Sequence, residues 1–207
     1  MIISFEGIDG CGKSTQIALL TDELKRHNKK AVVLREPGGN NISEKIRELL
    51  LDNKNSSMRS ETELLLYIAS RTQLVRDEIR KMLEDNFIVI LDRFADSTTA
   101  YQGYGRGLDL EIIGQLNHFA TDMGKYMPDI TFFLDMPVET AFSRMMSRGE
   151  EINRMESSDK DFFERVRNGF IIISENEPER VFRMDAIQSK EKVFEQLKKI
   201  LKSRNII

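Results

Sequence analysis

Several things are scarce in this sequence, and each scarcity excludes something. There is one cysteine, Cys11, in 207 residues, so no disulfide can close within the chain, and a reducing, cytoplasmic setting is the default expectation. Histidines number two, and neither His27 nor His118 has a helical partner at metal-ligand spacing, so both read as structural or solvated positions. No apolar run approaches the roughly 18 residues that a membrane span needs, and the first residues are strand-like rather than a basic, then apolar, then small-residue leader. The sequence has no excess of positive charge: 31 Lys and Arg stand against 34 Asp and Glu, a net charge of −3. A nucleic-acid partner held by counterion release is therefore not expected. Repeats, low-complexity tracts and Pro/Gly/Ser linkers are also missing, and the length suits one domain over residues 1–207.

What the sequence does have is a regular alternation. Met1 to Glu6 is a short apolar run closed by glycine, and Ser14 to His27 places Ile17, Leu19, Leu20 and Leu24 at mostly helical spacing. Ala31 to Leu34 reads as a second strand, Ile42 to Leu51 as a helix and Ser60 to Glu84 as a long helix. Phe87 to Leu91 is a buried strand, and after a glycine-rich stretch Glu111 to Met123 is helical. Ile130 to Leu134 is a strand, Pro137 opens a helix where its missing N–H costs nothing, and Val181 to Met184 and Glu191 to Leu201 form a last strand and helix. Continuous apolar strands separated by amphipathic helices predict an α/β fold, a five-stranded parallel sheet flanked by helices on both faces, with ligands at the carboxyl ends of the strands.

Gly7-Ile8-Asp9-Gly10-Cys11-Gly12-Lys13-Ser14 matches G-x-x-x-x-G-K-[ST] between a predicted strand and a predicted helix. Glycines let backbone N–H groups surround a β-phosphate, the helix dipole adds positive potential, Lys13 bridges β- and γ-oxygens, and the Ser14 hydroxyl can ligate Mg²⁺. Cys11 lies near the helix start, where a thiol pKa can fall, yet a small residue is also what a tight loop tolerates. The loop alone does not choose among ATPases, GTPases and kinases. No Asn-Lys-x-Asp segment for guanine recognition occurs, which disfavours a GTPase.

The acceptor side begins where strand Phe87 to Leu91 ends in Asp92-Arg93-Phe94, followed by Ala95 to Tyr104 with its hydroxyls, amide and rings. An arginine fork suits a second phosphate, a carboxylate such as Asp92 can orient Mg²⁺-bound water, and Thr98 or Gln102 can pair with the polar edge of a base. Tyr67 and Arg71 share one face of the long helix at i and i+4. Taken alone, Tyr67 reads equally as a core residue and Arg71 as a surface charge.

Taken together, these residues resemble the thymidylate kinase family. The likeness rests on Phe5-Glu6-Gly7-Ile8-Asp9-Gly10 with its phosphate loop, Arg35-Glu36-Pro37-Gly38-Gly39, Ala69-Ser70-Arg71, Asp92-Arg93-Phe94 with Ser97-Thr98-Thr99-Ala100-Tyr101-Gln102-Gly103, and Pro128-Asp129 before Phe132-Phe133-Leu134-Asp135. The resemblance implies a P-loop kinase fold with a lid over roughly residues 144–158, and a homodimer that phosphorylates dTMP to dTDP with ATP and Mg²⁺. It implies that Gly7, Ile8, Asp9, Gly10, Cys11, Gly12, Lys13, Ser14 and Thr15 hold ATP, with Arg144 and Ala186 on the adenine side. Ser14 and Asp92 are the implied metal ligands. Arg93 is implied to grip the thymidylate phosphate, with Asp9 and Glu36 near the sugar and the phosphate cluster. Pro37, Arg47 and Ser97 join the acceptor pocket. Arg71 is implied to bond a thymine carbonyl, Thr98 with Gln102 to read the ring N–H, Tyr67 to stack on the base, and Tyr101 to fill the space of a ribose 2′-hydroxyl.

The loop carries Gly10 where some members place an arginine, so the lid is expected to supply the transition-state cation from Arg148 or Arg154, as in bacterial-type members. Two departures are the Asn153-Arg154 pair, where the family often has Asp-Arg, and Gly39-Asn40-Asn41-Ile42, which lacks a threonine. A kinase for another nucleoside monophosphate or a deoxynucleoside, and a nucleotide-binding module without turnover, stand as alternatives. Lys13, Ser14, Asp92 and Arg93 argue against the module.

Overall fold

The structure, a computed structural model, describes residues 1–147 and 153–207. Five parallel strands form one sheet in the order β2-β3-β1-β4-β5: β1 (Ile2–Glu6), β2 (Ala31–Arg35), β3 (Ile88–Asp92), β4 (Ile130–Asp135) and β5 (Val181–Asp185). In β1 and β3 apolar side chains divide between two cores because successive residues point to opposite faces. Ile3, Phe5 and Ile90 pack in one layer with α1 (Lys13–Arg26), α8 (Lys160–Asn176) and α9 (Lys190–Ser203). Ile2, Val89 and Leu91 pack in the other, against Leu74, Val75 and Ile79. Three registers align the ends of the strands: Phe5 pairs with Asp92, Arg35 pairs with Asp92, and Glu6 pairs with Phe133. The chain turns to one side of β1 for β2 and β3 and to the other for β4 and β5, which opens a crevice at the carboxyl edge where the order reverses.

Most expected elements lie within a residue or two of their observed bounds. α2 (Asn41–Leu51) is capped by the Asn40 side chain, which accepts from Ser43 N–H. α3 (Ser60–Leu74) runs through a π-helical segment (Val75–Ile79) into α4 (Arg80–Glu84), as the single long helix expected there. α6 (Leu110–Ala120) ends three residues before Met123, where Asp122, Met123 and Gly124 all take positive φ. α7 (Val138–Met146) starts one residue after Pro137, which is its cap rather than its first turn.

The glycine-rich stretch after β3 is helical instead of irregular. α5 (Ala95–Thr98) continues as a π-helical segment, Thr99–Gly105, marked by Arg106 N–H donating to Tyr101 O at 2.9 Å, five residues back. Its glycines exist for close approach. A Cβ at Gly105 would stand 2.6 Å from a ring carbon of Phe162 and 2.8 Å from a methyl of Val166 on α8. Helix propensity penalises glycine by about 1 kcal/mol, but here the packing of two helices outweighs it.

Gly105→Val should therefore cost about 1–3 kcal/mol through overpacking, seen as a fall of several degrees in Tm. An unchanged melt would mean that Phe162 and Val166 are free to move aside.

Candidate active site

The phosphate loop joins β1 to α1. Gly10 has φ +84°, and a Cβ there would lie 2.3 Å from the Ala141 carbonyl oxygen, so only glycine fits. Gly12, at φ +100°, caps α1 with no side chain on the first N–H groups, and the first turn contains no acid. Those N–H groups are thus presented for an anion. Lys13 Nζ donates to Gly7 O at 3.1 Å and Ile8 O at 3.2 Å, and stands 3.9 Å from Asp9 Oδ1. Burial pushes the Cys11 thiol up, against the pull of Lys13, so this cysteine packs in the core instead of serving as a reactive thiolate.

Arg93 follows β3 with φ +70°, a left-handed conformation uncommon outside glycine. Three contacts hold it there. Its N–H donates to Phe5 O at 3.0 Å, Nη1 to Gly7 O at 2.8 Å and Nη2 to Asp9 Oδ1 at 2.8 Å. The guanidinium also lies over the Tyr101 ring, 5.1 Å from its centroid. Below it, Glu6 Oε1 accepts from Phe94 N–H at 2.8 Å, and Glu6 Oε2 shares a 2.5 Å hydrogen bond with the Ser97 hydroxyl. Burial, reinforced by the Asp96 carboxylate, pushes the Glu6 carboxyl up to about 8.

Beside this turn opens a cavity lined by charged, polar and aromatic side chains. All the residues that the resemblance assigned to the acceptor line it. They are Asp9, Glu36, Pro37, Arg47, Tyr67, Arg71, Arg93, Ser97, Thr98, Tyr101 and Gln102. Thr98, Tyr101 and Gln102 reach it together because they sit at i, i+3 and i+4 of the helix after β3. The Tyr101 ring is wedged edge-on among Phe162, Phe163 and Phe170, with centroids 6.1–6.4 Å away.

Arg71 is fully buried and committed on several sides. Nε and Nη2 donate to the two Glu36 oxygens, Nη2 also to Thr98 Oγ1 at 2.8 Å, and Nη1 to Asn117 Oδ1 at 2.5 Å. Four of five donors are used, which leaves one Nη1 hydrogen for a ligand carbonyl. Burial pushes the Glu36 carboxyl up while the Arg71 charge opposes it. Removing one member of such a pair costs roughly 3–5 kcal/mol, so Glu36 fixes Arg71 as well as lining the cavity.

Ser14, Asp92 and Lys13 line a neighbouring cleft that Asp9, Glu36, Arg47 and Arg93 share with the cavity, so the two proposed phosphate ends are continuous. Ser14 and Asp92 offer hard oxygen donors. Among the described residues no cluster of three or more acidic, histidine or cysteine side chains could cage a metal. That donor set fits Mg²⁺, which takes one or two protein oxygens and completes its shell with phosphates and water. On the far side of the loop, Thr15, Arg144 and Ala186 line a third groove with Cys11, Gly12 and Gln188, the place expected for adenine.

Two lid assignments fare differently. Arg148 lies outside the described residues. Arg154, expected at the transferring phosphate, is buried against α2 and α3: Nε donates to Leu50 O at 2.7 Å and Nη2 pairs with Glu63 at 2.7 Å. A charge in a polar segment reads as solvent-facing, yet here the carboxylate of Glu63 captures it. Sequence reasoning also missed Glu6, Glu63 and Asn117, and the lid-proximal Asn153, Met155 and Glu156 that border the cavity. Glu63 had a legible signal, since it precedes Tyr67 and Arg71 by one and two turns on the same face of α3.

With this geometry in place, comparison with known proteins decides the family. The profile of the thymidylate kinase family matches residues 5–197. The chain belongs to the thymidylate kinase family. Similar members include thymidylate kinase of Kosmotoga olearia, 46% identical over 96% of this chain and 94% of that protein. The thymidylate kinase of Chlorobaculum tepidum is 47% identical over 91% of each chain. Among solved structures, thymidylate kinase from Ehrlichia chaffeensis superposes with a TM-score of 0.76 at 37% identity, covering 97% of this chain and 98% of that one. The family resemblance read from five motifs is thereby borne out, as is its fold.

The position of Glu6 generates a pH prediction for this kinase. A carboxyl with a folded pKa near 8 against an ordinary 4.5 keeps a proton that the unfolded chain releases. Its contribution to stability is fully present below pH 4.5 and is lost as the pH rises through about 8. Glu6→Gln keeps the acceptor but cannot ionise, so its Tm should gain on the wild type steadily between pH 5 and 8.5, other titrations cancelling in the difference. Parallel melting curves would refute the buried proton.

Proposed function

We propose that the chain transfers the γ-phosphoryl group of ATP to dTMP with Mg²⁺, giving dTDP and ADP. The observation that carries this reading is the continuity of two anion sites: the phosphate loop with Lys13, and the Arg93 turn at the end of the neighbouring strand. In-line transfer needs the acceptor phosphate and the γ-phosphate to meet, and adjacent parallel strands bring their holders together. No covalent enzyme intermediate is required, because the acceptor phosphate oxygen is itself the nucleophile. It bonds to the γ-phosphorus as the bond to the β-phosphate oxygen breaks.

In this reading the uncapped start of α1 and Lys13 hold the β- and γ-phosphates, and Arg93 with Arg47 holds the acceptor phosphate. Mg²⁺, when bound near Ser14 and Asp92, would neutralise phosphate charge. Tyr67 stacks on the base, the remaining donor of Arg71 meets a base carbonyl, Thr98 and Gln102 meet the ring N–H, and Tyr101 packs against the sugar. Arg144 and Ala186 flank adenine. The lid supplies a cation through Arg148, since Arg154 is engaged elsewhere.

The chain acts as one unit over residues 1–207 and pairs with a second copy. Support for pairing comes from α2, α3 and α6, which pack side by side and expose Leu49, Leu65, Ile112 and Phe119. Such a run of apolar side chains on neighbouring helices suits a self-complementary two-fold interface. A cytoplasmic setting agrees with the free, buried thiol of Cys11 and with the finding that no helix among the described residues is long and apolar enough to cross a membrane.

The test is ADP release with ATP and Mg²⁺ against dTMP, dUMP, dCMP, dGMP and thymidine; dTMP should lead, and the absence of turnover with dTMP would refute the reading. Lys13→Ala should lower kcat by about 10²-fold or more, the loss of one preorganised electrostatic contact. Arg93→Ala should raise KM for dTMP strongly and leave ATP affinity little changed. Equal losses for both nucleotides would put Arg93 on the wrong side.

A further inference from the structure

Glu63 is a buried carboxylate that the reaction itself does not use. It lies on α3, 1% exposed, one turn before Tyr67. Every charged or polar partner it has points at it from another element. Arg106 donates through Nε and Nη2 at 3.2 and 3.3 Å, Arg154 Nη2 lies 2.7 Å away, and Gln102 Nε2 donates at 3.0 Å. A carboxylate has about four lone-pair sites, so this one is saturated by N–H groups.

The consequence concerns Gln102. Its side-chain amide has two chemically opposite ends, and a lone amide in a pocket can turn either end toward a ligand. An ionised carboxylate only accepts, so the NH₂ end must face Glu63. Gln102 lines the cavity, and its Oε1 makes no hydrogen bond among the described residues. The carbonyl is thus the end left to the base. Thymine carries a hydrogen on N3, whereas cytosine has a bare acceptor there.

We infer that Glu63 is a positioning residue for base selection: by accepting from Gln102 Nε2 it fixes the amide with its carbonyl toward the cavity, favouring an acceptor base with an N3–H over one without. The inference rests on the proposed dTMP site and assigns a specificity role within it. Two guanidinium groups make the orientation robust. Burial alone would raise the Glu63 carboxyl, but hydrogen bonds from Arg106 and Gln102 outweigh it and hold it below its usual range, so it stays an acceptor.

The experiment measures kcat/KM for dTMP and for dCMP in Glu63→Gln, Gln102→Leu and the double variant, with Tm as the control for folding. A glutamine at 63 can offer either end, which frees Gln102 to turn its NH₂ toward cytosine N3. The preference for dTMP over dCMP should fall by about tenfold or more, through KM for the acceptor, with KM for ATP unchanged. Gln102→Leu should lower the preference too, and adding Glu63→Gln to it should change nothing further. A wild-type preference in folded Glu63→Gln overturns the inference, as does a further fall of the same size in the double variant. Should Glu63→Gln fail to fold, Glu63→Asp keeps the charge toward Arg106 and Arg154 but draws it back from Gln102. It must then show the same fall, and an unchanged preference would overturn the inference. Wild-type turnover of dTMP separates the two readings: if it is present while these ratios stand still, only the role of Glu63 fails.

Discussion

The site depends on one junction, where the end of β1 is stitched to the turn after β3. Phe5 O takes the N–H of Arg93, Glu6 takes the N–H of Phe94 and the hydroxyl of Ser97, and Gly7 O takes the Arg93 guanidinium. Phe5 and Gly7 therefore hold Arg93 itself, in a left-handed backbone conformation that needs such support, and Glu6 between them holds the turn that follows. Shifting β1 against β3 by one residue would reverse the facing of every side chain and part Lys13 from Arg93. The hydrophobic layers on both faces fix that register, so core packing and catalytic geometry are set by the same strand pairing.

Around the junction, carboxylates stand between the cations. Asp9 lies between Arg93, at 2.8 Å, and Lys13, at 3.9 Å, and so offsets the repulsion of two positive groups that the proposed reaction assigns to phosphate. Being partly exposed, it is not a buried charge that depends on either cation. The deeper pairs differ. Arg71 with Glu36, and Arg154 with Glu63, are shut from water, Arg106 reaches Glu63 from a half-buried position, and the two carboxylates serve to aim donors and amides.

The layered sheet and the phosphate loop were legible because their signals are local: apolar runs of strand length, and glycines at fixed offsets before Lys13. The acceptor pocket was legible only through the joint occurrence of several motifs, since Tyr67 or Arg71 alone reads as core or surface. The helix after β3 escaped because Gly103 and Gly105 are chosen by α6 and α8, which lie far away in sequence. Glu63 and Arg154 escaped for a related reason. Each is a charge in a polar setting whose partner comes from another element, and local pattern cannot say that the two are buried together.

This distribution of what local sequence reveals follows from how the site is built. In the proposed reading Lys13 and Arg93 sit at a helix start and a strand end, where backbone geometry does much of the aiming. Groups that must distinguish one base from another have to present a particular end of an amide or hydroxyl, and the backbone does not decide which end. That choice needs a neighbour of fixed polarity, such as the Glu63 carboxylate behind Gln102 or the Arg71 guanidinium donating to Thr98. Phosphate binding is thus written in short motifs, while base selection is written in pairs of residues that only the fold brings together.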